Sequence, residues 1–240
     1  MIRLLTILVL FLGFACTSET NSCFNKAGSS ITKEVSIQGF NSLAVFENIN
    51  VEINIDTVYS VQLRAPEHLI HFIDYQIKDS TLVLNNSVNC NVLKSYKNDF
   101  TVIITVPTID SIYAEGYGNI TSNDTIFNDK ISLNLWDGST TIDLKINTCD
   151  FVIANHLGSN TIYASGNCNY LSGYNNLYGW AYLSELKVKN ASINQAGIGD
   201  FVLCISDLIT YDISASGNIQ LYCVPSIIEG SSSATGELIK

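Results

Sequence analysis

Catalysis and metal binding need convergent His, Cys, Asp or Glu side chains, and this sequence supplies them sparsely. The three histidines are His68, His71 and His156. His68 and His71 are spaced to share one face of a helical turn, but a metal pair there lacks a third ligand nearby, so both read as surface residues. His156 stands in a small-residue turn. No G-x-S-x-G, HExxH, P-loop or dinucleotide motif occurs, so no catalytic residue, metal or cofactor is expected. Among the acids, Glu115 and Asp137 occupy equivalent places in neighbouring repeats, where a stacked pair can serve hydrolysis or bind Ca²⁺. Asp143 and Asp200 lie near equivalent turns further apart. Solvated turn acids are the plainer reading of all four. The aromatics are more distinctive: Tyr170, Tyr174, Tyr178, Trp180 and Tyr182 crowd one repeat, with Tyr163 in the column of Tyr182. By alternation Trp180 and Tyr182 point outward, and flat apolar rings with polar edges suit sugar rings. Trp180, Tyr182, Tyr163 and Tyr178 are therefore the candidate ligand-binding residues, against the alternative that stacked aromatics only reinforce a strand ladder.

The elements that position these residues follow from a repeat. From Ile109 onward, seven small-residue turns recur, with middle residues Gly118, Thr140, Asn160, Gly179, Gly199, Gly217 and Gly236, in steps of 22, 20, 19, 20, 18 and 19. Apolar residues alternate after each turn, as in Ile142 and Leu144 or Phe201 and Leu203, and again before it, as in Ile131, Leu133 and Leu135. Period two marks strands with one buried face. No segment carries enough apolar area to stand alone, so equivalent strands are expected to stack in parallel ladders around a continuous core. The fold class is all-β, a parallel β-helix of about 20-residue coils; an antiparallel sandwich or barrel is the alternative.

After Cys16, six cysteines remain: Cys23, Cys90, Cys149, Cys168, Cys204 and Cys223. Counting from the turn centres places Cys149 over Cys168 and Cys204 over Cys223. Strands ~4.8 Å apart are within disulfide reach, yet parallel geometry tends to set the side chains alongside each other. Packed thiols are the favoured reading and bridges the alternative.

Residues 34–108 are strand-rich but less regular, with one expected helical turn at Pro66–Ile73, and suit the cap that the first coil of a solenoid requires. Ser36-Ile37-Gln38-Gly39-Phe40-Asn41-Ser42-Leu43, Val51-Glu52-Ile53, Tyr59-Ser60-Val61, Asp79 to Leu84, Val102 to Pro107 and the Gly-x-Gly-Asn-Ile type turns together resemble the head GIN domain family. The family comprises autotransporter-adhesin-like proteins common among envelope lipoproteins of Bacteroidetes-type bacteria. The resemblance runs from about residue 34 to 240 and implies a right-handed parallel β-helix, with no settled activity. Thr140 and Asn160 replace a second glycine and Leu177 a first, which implies altered turns in those coils.

The chain begins with Arg3 and an apolar run from Leu4 to Phe14, too short to span a bilayer and suited to a signal-peptide core. Gly13-Phe14-Ala15-Cys16 resembles a loose lipobox, with ordinary cleavage after Ala15 as the alternative. The expected organisation is a signal peptide at 1–15, lipidation at Cys16, a flexible tether at 16–33, a β-rich part or cap at 34–108 and a seven-coil β-helix at 109–240. Formal net charge is -10, and processing before Cys16 leaves 11 basic against 22 acidic residues. Such a surface repels nucleic acid. The expected partners are a membrane, through the lipid anchor, and a glycan or protein ligand; no feature specifies an oligomer. The expectation is a non-catalytic envelope lipoprotein, with outer-membrane anchoring, that presents a β-helix surface for binding or adhesion. A polysaccharide-active enzyme and a structural assembly component are the alternatives.

Overall fold

The computed structural model describes residues 28–37, 39–88 and 99–240. The signal segment, Cys16, Cys23 and Cys90 lie outside the described residues. The alternation after each turn becomes a wall of parallel strands. β9 (Asn119–Gly138), β10 (Thr141–Asn155), β11 (Thr161–Leu177), β12 (Trp180–Gly197) and β13 (Phe201–Ile213) each run through two faces of a coil and pair in parallel with the next. β14 (Ile219–Cys223), β15 (Ile227–Ser232) and β16 (Leu238–Ile239) continue the stack. The result is a β-solenoid of about six turns with coils of about 20 residues, and no α-helix occurs among the described residues. On the first face Ile120, Ile142, Ile162, Ala181, Phe201 and Ile219 form one inward column. On the second face Ile131, Phe151, Leu171, Ala191 and Ile209 form another, and nearly all these side chains are fully buried. Burying each branched or aromatic side chain contributes about 1.5–3 kcal/mol, so stability is distributed along the columns.

The N-terminal part joins the same core. β2 (Ser42–Glu47) lies between β6 (Thr81–Asn86) and β8 (Ser111–Gly116), and β3 (Asn50–Ile55) between β7 (Thr101–Val106) and β9, all in parallel. β6 and β7 thus lie outside β2 and β3, although they come later in the chain. Pairing then turns antiparallel: β4 (Ser60–Pro66) covers β7, β1 (Ser30–Val35) covers β4, and β5 (Ile73–Lys78) covers β6. These strands shield the end of the stack. β1 begins at Ser30, so residues 30–33 of the expected tether are strand. The expected helix at 66–73 is one 3₁₀ turn, Ile70–Phe72, because β4 runs through Pro66 and β5 starts at Ile73.

The turns are held by glycine and by buried amides. Gly138, at φ 107°, lies so close over the Gly116 carbonyl that any Cβ would overlap it, and Gly116 lies likewise over Glu47. Leu177 takes the left-handed conformation at φ 58°. Thr140 and Asn160, where glycine was expected, are buried and bond the turn from inside: the Thr140 amide donates to Asn160 Oδ1 at 2.9 Å, and Asn160 Nδ2 donates to the Leu157 carbonyl at 2.9 Å and to Asn155 Oδ1 at 3.0 Å. The chain of amides continues from Asn155 Nδ2 to Asn175 Oδ1 at 3.0 Å, and from Asn175 Nδ2 to Gln195 Oε1 at 3.1 Å. Asn175 and Gln195 also donate to the turn carbonyls of Gly179 and Gly199. Every buried side-chain polar atom among the described residues has a partner, as burial requires.

Candidate ligand-binding face

Outward positions on the first face alternate with the buried column. Thr121, Asp143, Tyr163, Tyr182 and Val202 are successive members of one outward column. The Tyr163 and Tyr182 rings stack with centroids 5.3 Å apart and planes 18° from parallel. Both are exposed, at 42% and 39%. Together with Asp143, Ala164, Ser165, Ser184 and Glu185 they line a cleft of about 470 Å³.

A break in register makes this cleft. Tyr163 pairs with Tyr182 but Gly166 with Leu186, so β12 holds one more residue than β11 between those pairs. Against β13 the mismatch is larger, since Leu183 pairs with Leu203 and Lys187 with Cys204. β12 therefore bulges outward at Ser184 and Glu185, and a bulge re-aims side chains that a regular strand would keep in line. The arrangement offers two parallel ring faces beside two hydroxyls and two carboxylates.

Trp180 is half-buried and leans on the neighbouring turn, where a Cβ on Gly199 would stand 2.8 Å from its Cδ2. Tyr178 is exposed at the turn itself. Neither lines the cleft, so the structure brings Tyr163 and Tyr182 together and leaves Tyr178 and Trp180 beside them.

A second aromatic group lies on the second face. Trp136 and His156 stack at 4.3 Å and 17°, and Tyr174 meets His156 at 5.7 Å. Trp136 Nε1 donates to Asn134 Oδ1 at 2.9 Å. Trp136 and His156 are one coil apart in sequence, a spacing that could have revealed the stack. Phe46 and Tyr113 pair nearby on the same face at 5.5 Å. Burial, then the hydrogen bond to Glu115, then its charge, push the Tyr113 phenol up to about 12.

Of the four acids singled out in the sequence, Asp143 lines the tyrosine cleft with Glu185, and the other three are engaged in local hydrogen bonds. Glu115 accepts from the Tyr113 hydroxyl at 2.7 Å, and Asp137 accepts from the Gly138 amide at 2.8 Å. Asp200 ties coils together, accepting from the Asn218 amide and Gln220 Nε2, both at 2.7 Å. His68 and His71 are exposed, and no cluster of metal-ligating residues occurs among the described residues.

The cysteines correct the sequence reading in two places. Cys204 and Cys223 form a disulfide with Cα atoms 4.3 Å apart, where packed thiols were favoured. A register shift lets it form: Leu203 pairs with Leu221 but Cys204 with Cys223, so Tyr222 is the extra residue. Cys149 and Cys168 are free, but they are not in one column, because Cys168 pairs with Thr148. The pairing offset of β10 and β11 stays at 20 residues while the turn centres are 19 apart, so the later turn is one residue shorter. Cys168 is buried and donates to the Tyr170 carbonyl at 3.1 Å, and burial pushes its thiol up to about 11.

Fold and face define a parallel β-helix whose lateral surface carries its distinctive chemistry. The chain belongs to the family described as "Putative auto-transporter adhesin, head GIN domain", whose model matches residues 39–225. A "putative adhesin" from Bacteroides fragilis is similar in structure at TM-score 0.78 and 19% identity, over 88% of this chain and 96% of that one. A second, from Parabacteroides merdae, matches at TM-score 0.58 and 18% identity over 89% and 97%. A "putative lipid binding protein" from Parabacteroides distasonis matches at TM-score 0.64 and 16% identity over 88% and 97%. At these identities the likeness shows the fold. No curated protein matches the chain.

Proposed function

We propose that this chain is a non-catalytic lipoprotein of the cell envelope, anchored through Cys16, that binds glycan on the first face of its solenoid. The observation that carries this reading is the exposed, parallel Tyr163–Tyr182 stack walling a cleft with Ser165, Ser184, Asp143 and Glu185. Ring faces take the apolar faces of a pyranose, and hydroxyls and carboxylates take its equatorial hydroxyls. Membership of an adhesin-like family supports a surface or exported setting, and the acidic composition disfavours nucleic acid.

Glycan-array binding followed by calorimetry tests the reading. Tyr163→Ala with Tyr182→Ala is expected to weaken binding by about tenfold or more, roughly 1.4 kcal/mol, with the melting transition retained. Unchanged binding in that variant, or no glycan bound by the native chain, defeats it. Turnover of a bound polysaccharide defeats the non-catalytic part. For the anchor, mass spectrometry of the N-terminus is expected to find diacylglyceryl-modified Cys16; an unmodified cysteine there rules the anchor out.

A further inference from the structure

A second cleft, of about 520 Å³, opens at the corner where the first face turns into the second. Asn167, Asn169, Lys187, Lys189, Ser206 and the Cys204–Cys223 bridge supply its distinctive lining. No carboxylate lines it. That is unusual in a chain with 22 acidic and 12 basic residues. Lys187 and Lys189 are both exposed, and among the described residues the one salt bridge joins Arg64 and Glu52 far from them. Their position two apart on β12 sends both ammonium groups outward at the corner. Asn167 pairs with Lys187 in the adjacent coil, which sets an amide beside an ammonium. The two ammonium groups and the Asn167 amide form an oxyanion site; the Ser206 hydroxyl donates to Asp207 Oδ1 at 2.6 Å, and Glu185 stands two residues before Lys187, so the lysines are its working donors.

The tyrosine cleft and this corner are consecutive on the same two coils. From Tyr182 to Lys187 the strand advances five residues, at most ~17 Å. The Ser184–Glu185 bulge lies between them.

We propose that the bound glycan is anionic: one sugar ring rests on Tyr163 and Tyr182 while an oxyanion substituent further along the same chain is held by Lys187 and Lys189. This rests on the glycan reading of the tyrosine cleft and names its ligand class. The oxyanion is a carboxylate of a uronic sugar or a sulfate ester, which share the same donors.

Calorimetry on the full processed chain with polygalacturonate, dextran sulfate and neutral dextran tests it. The native chain is expected to bind at least one acidic polymer about tenfold or more tightly than dextran, and which polymer is preferred identifies the oxyanion. Lys187→Gln with Lys189→Gln is expected to remove that preference while leaving dextran binding unchanged, and Lys187→Arg with Lys189→Arg to keep it. Equal affinity for acidic and neutral polymers, or a preference that survives the glutamine variant, overturns this inference and leaves the tyrosine cleft standing. Loss of all polymer binding in the tyrosine variant alone, with the lysine variant unaffected, also overturns it. Failure of the native chain to bind either acidic polymer overturns this inference, and takes the tyrosine cleft with it only if the glycan array finds no ligand.

Discussion

Single residues in the turns have little room for change, and the reason differs from one turn to the next. At Gly179 a Cβ would overlap the Asn155 side-chain amide and crowd Asn175. Gly179→Ala is therefore expected to cost about 3 kcal/mol or more, combining overpacking with orphaned buried amides. Gly39 makes the contrast, because at φ 80° it has nothing within 4 Å of a Cβ, so Gly39→Ala carries only the left-handed backbone penalty of ~1–2 kcal/mol. Chemical denaturation of the two variants measures the difference, and equal losses would contradict the amide ladder. The free thiols also differ. Cys149 is exposed and is expected to alkylate readily at pH 8, whereas buried Cys168, pushed up to about 11, reacts only on unfolding. Because the folded Cys168 keeps its proton above the ordinary value of 9.0, its contribution to stability is complete below pH 9 and is lost as pH rises through 11. A Cys168→Ser variant should show a shallower fall in stability across that window.

At the scale of elements, the Cys204–Cys223 bridge fastens β14 to β13. Closing a loop of 19 residues contributes about 3 kcal/mol by chain entropy. Reduction is expected to speed hydrogen exchange in β14 to β16 and to leave β10 and β11 protected, since each coil contacts only its neighbours. Uniform acceleration along the chain would show that the coils melt as one unit. Coil length, turn positions and inward columns were legible in the sequence because glycine spacing and apolar alternation are local signals. Thus the Tyr163–Tyr182 column was found from the turn centres. The bulge in β12 left only a local trace, the three-residue step from Leu183 to Leu186 in an otherwise alternating run, and which strand holds the extra residue shows only against its neighbours. The amide ladder escaped for a similar reason: Asn155, Asn175 and Gln195 resemble turn polars, and their 20-residue spacing is the one clue to a buried column. The cysteine register slipped because a turn shortened by one residue moves every position counted from it.

For the whole molecule, the proposed lateral binding surface fits a solenoid whose core is continuous along its length. A substitution on the outer face leaves that core untouched, so both variants should retain native melting while the tyrosine variant loses glycan binding and the lysine-to-glutamine variant loses the preference for acidic polymers. Phe151→Ala marks the opposite case. This side chain is fully buried between Ile131 and Leu171, and its loss is expected to cost about 3–5 kcal/mol. Thermal and denaturant melts of the three variants separate the two classes, and a binding variant that melted as early as Phe151→Ala would not support an outward role.

The order of strands at the N-terminal end constrains how the chain reaches this shape. β3 is held between β7 and β9, so residues 51–53 find partners on both sides only in segments that follow them by many residues. During synthesis β3 lacks its second neighbour until residue 122 or so has emerged, although β1 with β4, β5 with β6, β2 with β6 and β3 with β7 can pair before that. After that, each new length of about 20 residues adds one coil to a template already in place. Assembly is thus slow to begin and fast to continue, and the interval before β9 appears is when this chain is most open to capture by a chaperone or a protease.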